Sequence, residues 1–377
     1  MVDIIGTLDS DNLQGLSPQG DVLVGREGND VIVAYAGSGA DYLEGDGGND
    51  TLVGNGGDDV LTGGTGEDSL HGGAGADLLI GGDGIDTADY SGLVSGPQVG
   101  VSVNLATGEG AGGDAEGDLL FGIENITGTN GADVLVGDAG DNTIYVGSGQ
   151  YHAVDVVDAG VGDDTVIIGA GAAIADGGAG NDQVVIAFTQ ATGVTFSFSD
   201  GATANGTTFT NFESMNVFGT QGSDTFYGGA GEDILYGGAG RDYLRGGAGN
   251  DSLYGMEGHD SLRGGAGDDR LEGGWGNDFL VGGSGSDSFV YDDLNSSRDR
   301  IIDFQAGDDG DKIELSLYRQ SETGIHSFED FVDHLTETDQ GLYLDLSGHG
   351  PWPIGVIIEN VHIADLTPDN LALDLFA

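Results

Sequence analysis

The chain contains no cysteine. Disulfides, thiolate zinc sites and thiol catalysis are therefore excluded, and stability must come from another source. Only 5 prolines accompany 76 glycines, and the glycines do not recur every third residue, which excludes a collagen-like helix. Basic residues are scarce as well: 9 Lys and Arg stand against 65 Asp and Glu, a formal charge of −56. With no long basic surface to neutralise phosphates, DNA and RNA are poor partners. No apolar run approaches the ~18 residues of a membrane-spanning helix. The opening MVDIIGTLDSDN has neither the basic segment nor the apolar run of a secretory signal, which taken alone predicts a cytoplasmic chain without a cleaved leader.

What the chain does have is a phrase, Gly-Gly-x-Gly-x-Asp-x-Leu-x. It is plainest from Gly228 to Val290, where nonapeptides such as GGAGEDILY, GGAGRDYLR and GGAGNDSLY run head to tail after the looser opener GTQGSDTFY. Six residues form a glycine-rich turn ending in a carboxylate, and three form a short strand with one apolar residue at its centre. A strict period of nine overrides the disorder that so much glycine would otherwise suggest. This is the signature of a parallel β-roll that takes Ca2+ in its turns.

The frame can be followed by its sixth position. It falls on Asp11, Asp21 and Asp30, then on Asp41, Asp50, Asp59, Asp68, Asp77 and Asp86. It resumes at Asp133, passes Asn142, and continues at Asp164 and Asp182. In the last run one column holds Asp224, Asp242, Asp260 and Asp278, and the other Asp233, Asp251, Asp269 and Asp287. The position-eight residues of that run, from Phe226 and Leu235 to Phe289, are expected to face each other inside. Gly20, Asn142, Tyr151 and Ala173 interrupt the pattern.

Two stretches break the frame. GVSVNL with GIENITGT in the first is echoed by GVTFSF with NFESMNVFGT in the second, so the chain carries a larger duplication. After Val290, alternating strands surround SFEDFVDHL, the one convincing helix, with Ser327 as its cap, Asp330 at the capping-box position and Phe328, Phe331, Val332 and Leu335 as its apolar stripe. Trp352 belongs to the same tail. The expected fold is all-β: parallel β-roll solenoids with β-hairpin inserts and a C-terminal β-rich cap containing one short helix. Its segments are an N-terminal roll (1–89), an insert (90–127), a degenerate roll (128–185), a second insert (186–218), the main calcium-binding roll (219–290) and the cap (291–377).

Two nonapeptides make one turn of the roll, so alternate copies stack about 4.8 Å apart. At such spacing two carboxylates repel by roughly 0.8 kcal/mol in water and about 3 kcal/mol at an effective dielectric of about 20. One buried leucine per nine ordered residues does not offset the backbone entropy. A divalent cation must supply the difference, so binding and folding are expected to be one event. The position-six aspartates of stacked turns, with carbonyls of Gly229, Gly231, Gly238, Gly240, Gly247, Gly249, Gly265, Gly267, Gly274 and Gly276, are the expected ligands. An all-oxygen set of this kind favours Ca2+ over Mg2+ or transition metals.

Four of the 9 basic residues, Arg241, Arg245, Arg263 and Arg270, fall close together. The stacking register aligns Arg241 with His259 and Arg245 with Arg263, with Tyr227, Tyr243 and Phe279 facing outward on the same sheet and Tyr236 and Tyr254 on the opposite one. Tyr227, Arg241, Tyr243, Arg245, His259 and Arg263 form a candidate strip for an acidic polysaccharide. The alternative, arginines that offset neighbouring acids, stays open at this point.

These residues resemble the RTX family of secreted Gly- and Asp-rich repeat proteins. The segment RIIDFQAGDDGDKIELS resembles the roll-capping region of serralysin-type proteases, and the ending Asp374-Leu375-Phe376-Ala377 is similar to the terminus read by type I secretion machines. The resemblance implies export through a type I apparatus and folding outside the cell, where Ca2+ is plentiful. It makes the chain a secreted, extracellular calcium protein. No enzyme is expected: no histidine lies in a His-Glu-x-x-His pattern, and no serine has Gly-x-Ser-x-Gly spacing. The readings that remain are adhesion or matrix binding, polysaccharide or cell-surface binding, an auxiliary module of a polysaccharide-modifying enzyme resembling the repeat modules of alginate epimerases, and a surface-layer building block.

Overall fold

In the computed structural model, the residues described are 3–92, 99–147, 154–169, 171–188, 193–198, 202–204, 207–291, 298–308, 310–316, 320, 323–346 and 355–373. The sequence features at Tyr151, Trp352 and the last four residues lie outside them. The chain forms two compact units: residues 1–185 with 200–212, and residues 186–199 with 213–377.

Each unit is a parallel β-roll with strands stacked in register. In the first, Tyr42–Gly47, Val60–Gly66 and Leu78–Gly84 pair in succession on one sheet, and Val31–Val33, Thr51–Val53 and Ser69–His71 on the other. In the second, Thr225–Gly229, Tyr243–Ala248, Ser261–Ala266 and Phe279–Ser284 form one sheet, facing Ile234–Tyr236, Ser252–Tyr254 and Arg270–Glu272. The position-eight residues are the core: Leu43, Leu61, Leu79, Leu244, Leu262 and Leu280 are all 0% exposed. Like residues stack on like because the register shifts by whole turns, as in Leu244 against Leu262.

The two sheets differ. Three-residue strands alternate with strands of 6 or 7 residues that run on into the following glycine turn. There the turn's own backbone pairs with the turn above, as in Gly247 with Gly265 and Ala248 with Ala266. The nonapeptide therefore does not fix strand length, which depends on the column a copy occupies.

Most of the first insert stays within one sheet. Ser102–Asn104, Glu109–Ala111 and Leu119–Phe121 form an antiparallel meander between Leu78–Gly84 and Val134–Val136. Its closing segment divides: Leu119–Phe121 and Asn125–Thr127 lie on different sheets, with Gly122 at φ 57° between them. The second insert is divided between the units. Thr195–Ser197 pairs with Thr225–Gly229 in the second unit, whereas the hairpin of Ala202–Ala204 and Thr207–Thr210 extends Ala172–Asp176 in the first.

In the cap, Arg298–Ile301 and Lys312–Leu315 continue the two sheets. The helix spans Phe328–Asp333, and the Ser327 side chain accepts the Asp330 N–H at its start. Phe331 and Leu335 are buried. The helix is shorter than the pattern suggests because Leu335–Thr338 is taken into a strand against Gly341–Asp345.

Truncating one core leucine, Leu253→Ala, is expected to cost about 3 kcal/mol in saturating calcium. Met256 occupies a turn position with φ 73°, where a side chain is strained. Met256→Gly is therefore expected to raise the melting temperature in calcium, by about 0.5–1 kcal/mol of stability. Thermal unfolding of both variants checks these values.

Candidate metal centre

The position-six aspartates are buried, between 0% and 4% exposed from Asp21 to Asp287, and only Asp11 at the edge is half-exposed. Their two oxygens have different roles. Oδ1 accepts the backbone N–H of the aspartate one turn earlier, as from Asp50 to Asp68 (2.7 Å), Asp242 to Asp260 (2.8 Å) and Asp251 to Asp269 (2.9 Å). The result is a ladder of carboxylates pinning one turn to the next. Oδ2 is buried too, and in Asp50, Asp59, Asp68, Asp77 and Asp86, and in every ninth residue from Asp233 to Asp287, it has no hydrogen-bond partner.

These oxygens open onto a notch made by the first glycine of the repeat. A Cβ built on Gly54 would lie 2.5 Å from Asp59 Oδ2 and 2.6 Å from the Gly72 carbonyl oxygen of the next turn. A Cβ on Gly237 would lie 2.6 Å from Asp242 Oδ2, and one on Gly273 2.7 Å from Asp278 Oδ2. Carboxylate and main-chain oxygens from stacked turns thus share one small space. Of the expected carbonyl donors, Gly229, Gly231, Gly247, Gly249, Gly265 and Gly267 each turn their oxygen toward the glycine eighteen residues on. Gly238, Gly240, Gly274 and Gly276 share the left-handed turn conformation, with φ between 83° and 141°.

First-position and second-position glycines are there for different reasons. Position two has a positive φ in most repeats, though not at Gly37 or Gly229, and it tolerates Arg26, Asp46, Asn55 and Met256 at φ 69–90°. Position one needs space for the carboxylate, and it remains Gly25, Gly45, Gly54 and Gly255 in those same repeats. The sequence reading passed over these first glycines, although the copy GMEGHDSLR, which keeps Gly255 while losing its second glycine, carried the signal.

The ladder also uses residues outside the recognised repeats. Asp118 accepts the Asp77 N–H (2.8 Å), Glu124 that of Asp86 (2.9 Å), Asp155 that of Asp133 (3.0 Å), Asp299 that of Asp278 (3.0 Å) and Asp311 that of Asp287 (3.0 Å). Asp155 takes the role that the frame gave to Tyr151, because this turn and its neighbour at Asn142 span 22 residues. Ala173 has no carboxylate, and its N–H goes to Thr207 Oγ1 (3.1 Å). The missed residues share a shorter signal, an acid two residues before a buried apolar side chain: Leu120, Ile126, Val157, Ile301 and Ile313.

A second ladder runs the opposite way at position five. Asn250 Oδ1 accepts the Asp268 N–H and His259 Nδ1 the Asn277 N–H, each at 2.8 Å and each from the turn above. These side chains explain why position five is so often Asn, Asp or Ser.

Burial dominates the electrostatics. Desolvation pushes the Asp50 and Asp242 carboxyls up to about 6, Asp59, Asp233, Asp251 and Asp269 to about 7 and Asp260 to about 8, and raises Asp278 as well, with neighbouring carboxylates adding to the rise in all of these but Asp233. A buried, ionised and unpartnered carboxylate is costly. The chemistry of the notch, oxygen donors only and one unpartnered anionic oxygen per turn, fits a hard divalent cation of variable coordination number, Ca2+. When bound, Ca2+ supplies the positive charge that lets these carboxylates stay ionised inside the roll. Among the described residues no three His, Asp or Glu side chains converge as a metal cluster. Main-chain oxygens must therefore complete the set.

The candidate strip is assembled as the register demanded. Arg245 pairs with Tyr227 on one side and Arg263 on the other, all three exposed. The Tyr227 and Tyr243 rings lie 5.7 Å apart. Arg241, Tyr243, His259 and Phe279 line a cleft of about 490 Å3, and Tyr227 and Arg245 join Phe198 around another of about 360 Å3. Arg300, which the sequence reading left out, sits 5.3 Å over the Phe279 ring. Arg270 pairs with Glu314 (3.1 Å), whereas among the described residues Arg241, Arg245 and Arg263 join no ion pair. On the opposite sheet Tyr236 and Tyr254 stack face to face at 4.7 Å, which leaves only ring edges outward.

Fold and notch together define a calcium-binding parallel β-roll. The model of the RTX calcium-binding nonapeptide repeat matches residues 18–52, 35–70, 53–88, 120–151, 218–253 and 254–289. The chain carries several RTX calcium-binding nonapeptide repeats, and these repeats bind multiple Ca2+ ions. No curated protein matches it. Among solved structures it is similar to the extracellular lipase LipA from Serratia marcescens, at 19% identity and a TM-score of 0.23, over 66% of this chain and 40% of the lipase. The chain thus spans well under two thirds of that protein's length.

Two outcomes follow for the metal. A carboxyl whose pKa rises on folding favours the folded state only while protonated. Without calcium, the roll is expected to be most stable below the ordinary value of 3.8 and to lose that stability as pH climbs through 6 to 8. With calcium, which requires ionised ligands, stability should instead rise across the same window. Circular dichroism against pH, with calcium or with chelator, reads both slopes. Gly246→Ala places a methyl group on Asp251 Oδ2 and is expected to weaken calcium binding at that turn at least tenfold, measured by calcium titration.

Proposed function

We propose that this chain is a non-catalytic, secreted calcium-loaded β-roll that folds outside the cell and holds an acidic polysaccharide on the arginine and tyrosine strip of its second unit. Export and folding form one argument. Stacked buried carboxylates oppose folding where calcium is low, which keeps the chain extended for a type I secretion apparatus. Extracellular calcium then closes the turns.

The observation that carries the ligand reading is the contrast among the arginines. Arg270 and Arg300 are paired with acids, while among the described residues the exposed Arg241, Arg245 and Arg263 join no ion pair, and Arg241 and Arg245 lie beside aromatic rings. In a chain of net charge −56, cations left free on a rigid sheet are suited to an anionic ligand, and their spacing along the stacked strands suits a linear one. Phe279, 45% exposed, and Tyr227, 37% exposed, offer apolar surface to sugar rings. The absence of the His-Glu-x-x-His and Gly-x-Ser-x-Gly patterns from the sequence supports a binding role over a catalytic one.

Replacing Arg245 and Arg263 together by alanine is expected to weaken retention on an immobilised polyuronate about tenfold, with calcium content and melting temperature unchanged. Unaltered retention refutes the ligand reading and leaves the calcium chemistry untouched.

A further inference from the structure

The turns fall into two kinds. In most repeats, position two is glycine or a residue at positive φ, and the aspartate Oδ2 has no donor. The Asp21 turn is closed by the Leu16 and Ser17 N–H groups, which donate to Asp21 Oδ2 (2.7 and 2.8 Å). Three further turns depart from the majority: those of Asp11, Asp133 and Asp224, each of which opens a run of repeats. All three carry Thr at position two: Thr7, Thr129 and Thr220.

In these turns the carboxylate is already satisfied. The Thr220 N–H donates to Asp224 Oδ2 (2.7 Å), and so does the Thr220 hydroxyl (2.9 Å). The Thr129 N–H donates to Asp133 Oδ2 (2.9 Å), and its hydroxyl to Oδ1 (2.8 Å). Thr7 directs both its N–H and its hydroxyl (2.9 Å) to Asp11 Oδ2. Each threonine oxygen in turn accepts the N–H two residues on, from Asp9 (3.2 Å), Gly131 (2.8 Å) and Gly222 (3.0 Å). The cause is steric. A β-branched residue avoids positive φ, and none of the three threonines adopts it. The peptide before position two is therefore oriented differently, and its N–H meets the carboxylate. A related closure stands where the first regular run ends: the buried Tyr90 hydroxyl donates to Asp118 Oδ2 (3.0 Å).

We infer that calcium is held by the turns with glycine-type geometry at position two, and that the threonine turns at Asp11, Asp133 and Asp224 are closed by hydrogen bonds in its place. The roll thus contains metal-free turns at the starts of its repeat runs. Their carboxylates take two neutral donors in place of the cation, so these turns need no calcium to be complete. Asp11, Asp133 and Asp224 then leave the ligand set that the spacing alone proposed.

Bound calcium per full-length chain, measured by atomic emission after gel filtration in calcium buffer, tests this. Asp251→Asn is expected to lose at least one ion, and Asp224→Asn none. Equal losses from the two variants overturn the inference. A second arm does not require an open turn to tolerate substitution: Thr220→Gly restores the repeat consensus and is expected to gain at least one ion. A count unchanged in Thr220→Gly also overturns it.

Discussion

One buried carboxylate per turn governs this molecule. Its Oδ1 is committed to the backbone of the turn before, and its Oδ2 is held in a notch where a cation must sit or a proton must be taken up. The ladder and the metal site are therefore one construction. The hydrogen bond fixes the position of the carboxylate, the stacking of turns multiplies it, and the accumulated negative charge opposes folding unless a cation or a proton neutralises it. A disulfide or a large apolar core could hold such a chain together by other means, but it has no cysteine and only one fully buried aliphatic side chain per repeat.

The glycines follow from that carboxylate. The first leaves space for it, and the second allows the backbone to turn without offering it an N–H. Where threonine replaces the second glycine, the N–H is offered and the need for metal falls away. On that inference, the residue at position two helps decide whether a turn belongs to the calcium column. The insert and the cap obey the same ladder without the glycine turn, using Asp118, Asp299 and Asp311 in the place of repeat aspartates.

Much of this was legible in the sequence. The nine-residue frame located the buried leucines, the stacking partners Arg245 and Arg263, and the position-six aspartates from Asp21 to Asp287 wherever the glycine turn was intact. It was blind where the turn changed length, as at Asp155, and where the carboxylate comes from an insert, as at Asp118. In both cases only the tripeptide of acid, any residue and apolar residue survived, a pattern too short to trust in a chain so rich in acids. The helix at Phe328 was visible from its cap, but its end was not, because the strand at Leu335 is claimed by a partner further along the chain.

The sequence by itself determined the period, the two acidic columns, the apolar column between them and the need for a hard cation. All of these depend on neighbours at fixed spacing. The tertiary structure decided which carboxylates are already satisfied, which half of the second insert joins which unit, and which arginines are left unpaired. Those outcomes depend on where an N–H points and on what lies across a turn, and a linear spacing does not encode either.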